Sequence, residues 1–283
     1  MILYPGVKIN LGLNILRKRP DGFHDLETLF VPVSSVHDTL EVVHGEAYAV
    51  CSESIRRDFS PEQRVQAVSP DGKLMITIAR KEGVDWDPLK DLCARAYFLL
   101  AEQFKLPPVK ILLQKGSPVG AGLGGGSADA AFTLRAVSEL CGLGLSDAEL
   151  ARYAARLGSD CAFFVYNRPM FASGRGEVLE EYDLCGGPAG TLPFRVELVI
   201  PEGISVSTAQ AYGGITPGLP ARPLRDVLRN PECWREQLVN DFEPSVFALH
   251  PELAAIKEAL YRRGAFYAAM SGSGSALFGL FRD

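Results

Sequence analysis

The stretch "GAGLGGGSADAA", Gly120–Ala131, places five glycines within seven residues and then runs into alanines. Ordering a glycine costs more backbone entropy than ordering any other residue, so such a concentration implies a need for bare backbone. The continuation, "SADAAFTLRAVSEL", sets Ala130, Ala131, Leu134 and Val137 on one face at helical spacing. A helix N-terminus offers unpaired N–H groups and the positive end of the helix dipole. Glycines just ahead of it let the backbone wrap a phosphate chain without Cβ obstruction. The stretch therefore reads as a phosphate cradle, since a mere connector rarely continues straight into a tightly packing helix.

Two familiar cradles fail on context. Gly120, Gly122 and Gly125 satisfy GxGxxG, but a dinucleotide fold needs a second strand after the helix. Here a second helical pattern follows, "SDAELARYAARL", opened by Ser146 and Glu149 at capping-box spacing. No Lys-Ser/Thr closes the run as a Walker A loop requires, and protein-kinase landmarks such as HRD and DFG are absent.

Working outward, "GVKINLGLNIL" alternates, with Val7, Ile9, Leu11 and Leu13 on one face, and predicts a half-buried strand. "RPDGFH" supplies a turn, and "TLFVPVSSVHDTLEVV" predicts further strand. Gly45–Asp87 is polar and weakly patterned, apart from a strand in "KLMITIA". "DLCARAYFLLAEQF" predicts a helix, "VKILLQK" a strand, "GRGE" a strand-to-strand turn, and "MSGSGSALFGLF" a terminal strand pair. The Gly/Pro-rich Cys185–Pro193 is the candidate linker, dividing the chain into residues 1–184 and 185–283. Mixed strands and helices without regular βαβ alternation indicate an α+β fold in two lobes.

The totals bound the partners. The 283 residues, 47% hydrophobic and 22% charged, suit a globular protein with an ample core. A net charge of −5 argues against a broad nucleic-acid surface. Six scattered cysteines with no CxxC pair point to reduced thiols. With no leader and no apolar run of membrane length, the expectation is a cytoplasmic protein with no membrane partner.

"PVGAGLGGGSADAA" resembles the phosphate-binding motif of the GHMP kinases. The ordered series "VKINLGL", "RPDGFH", the glycine loop, "LGSDCAFF", "GRGE", "PEGISVSTAQAY", "NDFE" and "SGSGSA" extends that resemblance over nearly the whole chain. It points to the branch whose acceptor alcohol is a cytidine diphosphate-linked methylerythritol, used in isoprenoid precursor synthesis. The resemblance implies a two-lobed fold with the active site in the cleft, and ATP as donor with Mg²⁺, whose ligand the sequence does not name. ATP would be held by Pro118, Val119, Gly120, Ala121, Gly122, Leu123, Gly124, Gly125, Gly126, Ser127 and Ala128, with Asp91 near adenine. Asp160 would be the catalytic base and Lys8 its partner. Phe23, His24 and Tyr212 would hold the cytosine, with Tyr212 on the far side of the ring, and Asn10 the methylerythritol end. Such chemistry suits these residue types, because an acceptor alcohol must lose a proton to a nearby base while a cation offsets developing charge.

Four positions depart from the family pattern: Phe23 for tyrosine, Asp91 for asparagine, Ser159 for alanine and Ala162 for proline. An aspartate accepts hydrogen bonds but cannot donate like an amide. Two rival functions are a GHMP kinase acting on a small alcohol such as homoserine, and a nucleotide-binding regulator without catalysis. The paired aromatics argue against the first, since a small acceptor has no base to stack, and intact Lys8 and Asp160 against the second. Oligomeric state is not legible.

Overall fold

The computed structural model describes residues 1–45, 51–184 and 193–282. Its strands are β1 (Ile2–Leu3), β2 (Gly6–Lys18), β3 (His24–His37), β4 (Thr39–His44), β5 (Arg64–Val68), β6 (Leu74–Arg80), β7 (Val109–Lys115), β8 (Met170–Ser173), β9 (Val178–Glu181), β10 (Arg195–Val199), β11 (Tyr267–Met270) and β12 (Leu277–Phe281). The fold is α+β and divides into two compact units.

The first unit comprises Met1–Val7, Ser34–Ser117 and Gly125–Tyr166. Its sheet runs β1-β4-β7-β6-β5, with β6 and β7 parallel and the other pairs antiparallel. β7 is buried through Ile111, Leu112 and Leu113, which ties the strand before the glycine stretch into the core. Helices Leu92–Ala101, Gly125–Leu140, Asp147–Ala155 and Cys161–Tyr166 pack on one another, the second also against β4. The capping box forms as expected: Ser146 N donates to Glu149 Oε2 at 2.9 Å, and Glu149 N to Ser146 Oγ at 3.3 Å.

The second unit comprises Lys8–Val33, Pro118–Gly124 and the described residues from Asn167 onward. It holds the sheet β2-β3-β8-β9 and the antiparallel sheet β10-β12-β11. A core of Leu13, Ile15, Leu26, Val246, Met270 and Leu277, among others, joins its strands to its helices. The division therefore follows space and not a single cut at 184/185, because the N-terminal strands share a core with the C-terminal third. The linker Cys185–Pro193 lies outside the described residues except for Pro193.

Several expectations change. β2 is buried on both faces, not half-buried, because its polar residues Lys8, Asn10 and Asn14 are also buried. "TLFVPVSSVHDTLEVV" breaks into β3 and β4 at Asp38, whose side chain is committed elsewhere, as set out below. The weakly patterned segment holds a helix, Cys51–Asp58, as well as β5 and β6. Its Ile55 and Phe59 pack with Val43, Ala79 and Leu112. "GRGE" does form the turn between β8 and β9.

Candidate active site

The residues singled out above fall in both units, and each set is built within its own unit. In the second, β2 carries Lys8 and Asn10 two positions apart, so both side chains leave the same face. Lys8 Nζ donates to Asn10 Oδ1 at 2.6 Å and to the Gly122 carbonyl, 114 residues away, at 2.8 Å. Asn10 Nδ2 donates in turn to Thr28 Oγ1 at 2.9 Å, and Thr28 Oγ1 to the Gly12 carbonyl at 2.6 Å. The chain of bonds satisfies every buried polar group it contains and aims an ammonium at the glycine loop. Burial without such partners would cost several kcal/mol, on the order of 1–3 per lost bond. The Lys8 backbone N–H also bonds to the Leu123 carbonyl at 2.9 Å, so strand and loop are joined twice over.

Two features of the folded loop account for its glycines. Gly120, Gly122 and Gly124 have φ between +73° and +76°, a region L side chains rarely adopt. Two of the glycines are also demanded by the protein's own packing. A Cβ on Gly122 would lie 2.2 Å from the Ser271 carbonyl oxygen, and one on Gly125 would lie 2.2 Å from Ser117 Oγ. Bare backbone thus serves the left-handed conformation and the protein's own close packing. The helix begins at Gly125, two residues before the serine that the pattern suggested.

Both ends of the loop in the first unit are gripped by a buried cluster that sequence reasoning missed. Lys115 Nζ bonds to Asp38 Oδ2, and to Asp129 Oδ2 at 2.6 Å. Asp38 Oδ1 accepts from the backbone N–H groups of Gly116 and Ser117 at 2.6 and 2.7 Å, and Ser117 Oγ donates to Asp38 Oδ2 at 2.7 Å. Lys115 and Ser117 precede the loop, and Asp129 follows it on the helix. Burial would raise the Asp38 carboxyl, but Lys115 and Ser117 outweigh it and hold it below the usual range. Burial drives Asp129 well above that range, with Lys115 offsetting only part. Burial pulls Lys115 down, yet the two acids lift it above its ordinary value. One cation thus serves two buried acids, whose carboxyls burial and the shared lysine push in opposite directions. The available signal was a carboxylate standing in an alanine run, at a helical position flanked by buried residues.

The residues that the resemblance assigns to the acceptor, Asn10, Phe23, His24 and Tyr212, are all in the second unit. Asp21 accepts from Phe23 N at 3.1 Å, and Arg19 bridges Asp21 and Asp25, which shapes the "RPDGFH" turn. Phe23 emerges 55% exposed, with the Arg175 guanidinium 4.9 Å from its ring centroid. "GRGE", to which the sequence assigned no chemistry, thus contributes a cation beside the exposed aromatic. His24 and Tyr212 stack directly, with centroids 4.8 Å apart and planes 21° from parallel. No base fits between those two rings. His24 therefore backs Tyr212, and an edge contact from Phe242 at 4.9 Å and 86° holds it further.

In the first unit, Asp91 caps the helix Leu92–Ala101. Its Oδ1 accepts from Cys93 N at 2.9 Å and its Oδ2 from Trp86 Nε1 at 3.0 Å. Asp91, the residue expected near adenine, thus holds the protein itself through both oxygens, each of which keeps further acceptor capacity. A carboxylate caps as well as an asparagine does, which accounts for its tolerance there. The capped helix start lies beside the cradle: Leu92 Cδ1 is 3.8 Å from a Cβ built on Gly126. Asp160 occupies the turn before Cys161–Tyr166, partly exposed. The neighbouring Cys161 thiol is pushed up to about 11 by burial, although a hydrogen bond with Ser127 opposes the shift. It is an inert core thiol, and that bond sets the cradle's Ser127 one residue from Asp160. Among the described residues, no group of three His, Cys, Asp or Glu side chains could hold a metal ion.

Residues 91–168 match the GHMP kinases N terminal domain, and residues 224–283 match GHMP kinases C terminal. The chain is 42% identical over 282 residues to the 4-diphosphocytidyl-2-C-methyl-D-erythritol kinase of Parabacteroides distasonis, covering 99% of this chain and 92% of that protein. A crystal structure of 4-(cytidine 5'-diphospho)-2C-methyl-D-erythritol kinase matches with a TM-score of 0.73 at 30% identity, over 99% of this chain and 90% of the other. The Methanococcus jannaschii mevalonate kinase shares the fold, with a TM-score of 0.63 at 14% identity, covering 100% of this chain and 90% of that one.

Proposed function

Because this chain belongs to the GHMP kinases, and among them to the 4-diphosphocytidyl-2-C-methyl-D-erythritol kinases, we propose which of its residues carry the transfer and how. The reaction is ATP-dependent phosphorylation of 4-diphosphocytidyl-2-C-methyl-D-erythritol, on the 2-hydroxyl, in isoprenoid precursor synthesis. One observation supports the assignment above the rest: the buried Lys8 ammonium, oriented by Asn10, bonds to a carbonyl inside the glycine loop.

Phosphoryl transfer asks mainly for positioning and charge compensation. Pro118–Ala128 cradle the triphosphate, with backbone N–H groups and the helix start at Gly125 supplying the positive field. Asp160 accepts the proton of the acceptor hydroxyl. Lys8 orients that hydroxyl and offsets charge on the transferring group, and Asn10 holds Lys8 at the methylerythritol end. Cytosine lies between the remaining faces of Phe23 and Tyr212, which Arg175 and His24 respectively back, and His24 offers its ring edge for hydrogen bonding. Asp91 acts on the nucleotide side through the helix it caps and the indole it holds. Magnesium accompanies ATP, held chiefly by the phosphates. The chain offers no acidic cage for the ion among its described residues, so no residue is assigned to it and no step depends on it. No helix of the described residues is long and apolar enough to cross a membrane, and a cytoplasmic setting is in keeping with the scattered cysteines.

The test is ADP release by the purified protein with the cytidine acceptor beside homoserine, mevalonate and galactose. Turnover confined to the cytidine compound is the expected result; turnover on a small alcohol would discard the base site. Phe23→Ala and Tyr212→Ala are each expected to raise the KM for the acceptor by about 5- to 100-fold, the worth of one base–aromatic stack. The KM for ATP should stay within about twofold, since both rings are assigned to the acceptor. Equal shifts in both constants would remove these rings from acceptor binding.

A further inference from the structure

The "NDFE" motif, Asn240–Glu243, carries no assigned role in the reaction, yet each of its side chains is engaged inside the second unit. Asn240 is buried, and its Nδ2 donates to two carbonyls of the last glycine turn, Met270 O at 2.8 Å and Gly272 O at 2.9 Å. Its Oδ1 accepts from Phe242 N at 3.0 Å, so the amide's orientation is determined. Asp241 Oδ2 accepts from Ile15 N at 2.7 Å, and the backbone pairs with Leu13, binding the motif to β2. Phe242 sets its ring edge-on to Tyr212. Glu243 Oε1 accepts from Met270 N at 2.8 Å, while its Oε2 takes Lys257 Nζ at 2.5 Å.

The turn so held is the one that meets Lys8. Gly272 has φ +56°, and a Cβ built on it would lie 3.0 Å from the Gly122 carbonyl oxygen and 3.2 Å from Lys8 Nζ. Ser271 Oγ donates at 3.1 Å to the same Gly122 carbonyl that accepts from Lys8. A shift of this turn by even a fraction of an ångström would therefore move both the carbonyl and the ammonium.

We propose that Asn240 is a positioning residue for phosphoryl transfer, acting by fixing the Ser271–Gly272 turn against Gly122 and thereby the direction of the Lys8 ammonium. The inference rests on the assignment of Lys8 to the transfer. Glu243 secures the same turn from its other side, and Phe242 extends the motif's reach to the acceptor platform.

The test is a cycle of Asn240→Ala, Lys8→Ala and the double variant, with kcat and both KM values measured on ATP and the cytidine acceptor. Asn240→Ala should lower kcat by about 100-fold, the scale of a 1 Å misplacement, with the KM for ATP within about threefold. In the Lys8→Ala background the Asn240 substitution should cost nothing more, because residues acting as a unit are not additive. A factor that multiplies in that background would make Asn240 merely structural and overturn the inference. If Asn240→Ala does not fold, Ser271→Ala replaces it, with an expected loss of about tenfold that again vanishes beside Lys8→Ala. A slow Lys8→Ala enzyme beside a near-normal Asn240→Ala enzyme fails this inference alone. A Lys8→Ala enzyme near wild-type rate fails the assignment beneath it, and the inference with it.

Discussion

Asp160→Asn is expected to lower turnover by about 10²- to 10⁴-fold, the range for loss of a positioned general base. ATP affinity should change by less than about threefold, because the substitution removes a charge from the acceptor's proton path and leaves the cradle intact. The side chain is partly exposed in a turn before a short helix, so the variant should fold normally. Steady-state ADP release, with nucleotide binding followed by calorimetry, separates the two effects. Near-normal turnover would take Asp160 out of the mechanism. A matched loss of ATP binding would move Asp160 to the nucleotide instead.

Lys115→Met should produce the largest loss of stability, about 3–5 kcal/mol at neutral pH, as expected when one partner of a buried ion cluster is removed. Total stabilities are only about 5–15 kcal/mol, so the loss would be plain in urea unfolding. Its pH dependence has a definite sign. In the native protein Asp38 is held below its ordinary value, so its contribution is present above the unfolded carboxylate pKa, about 3.9, and is lost as pH falls through the lower folded value. Lys115, raised in the folded state, contributes fully below its unfolded pKa, about 10.4, and loses that contribution as pH rises through the folded value. Without Lys115, burial leaves both acids raised, so the folded variant binds more protons than the unfolded chain above about pH 4 and loses stability as pH rises. The gap between native protein and variant should accordingly be wider at pH 7 than at pH 5. A loss under about 1 kcal/mol, or one equal at the two pH values, would show that the cluster is not ionised as described.

Much of the fold was legible because it obeys local rules. Helical spacing located the helices Leu92–Ala101 and Gly125–Leu140, and a Ser/Glu pair marked the start of Asp147–Ala155. Alternation identified β2, but it also suggested a solvent face that does not exist. A polar residue at every second position looks the same whether water or Thr28 satisfies it. Asp38 broke a predicted strand for a related reason: its partners Lys115 and Ser117 lie 77 and 79 residues further along. Asp91 shows a contact that the likeness did not supply: its oxygens hold a helix start and an indole.

The sequence by itself determined the family, the α+β class, the glycine loop ahead of its helix and the exposed aromatic turn. All rest on short patterns whose chemistry follows from adjacent residues and backbone sterics. Only the tertiary structure decided that Lys8 addresses Gly122, that Tyr212 is backed by His24, that one lysine serves two buried acids, and that Asn240 holds Gly272. Each of those contacts joins residues tens to hundreds apart, and a hydrogen bond across such a distance leaves no periodic trace in either partner's neighbourhood. It is specified only when a shared core brings the two strands of chain together.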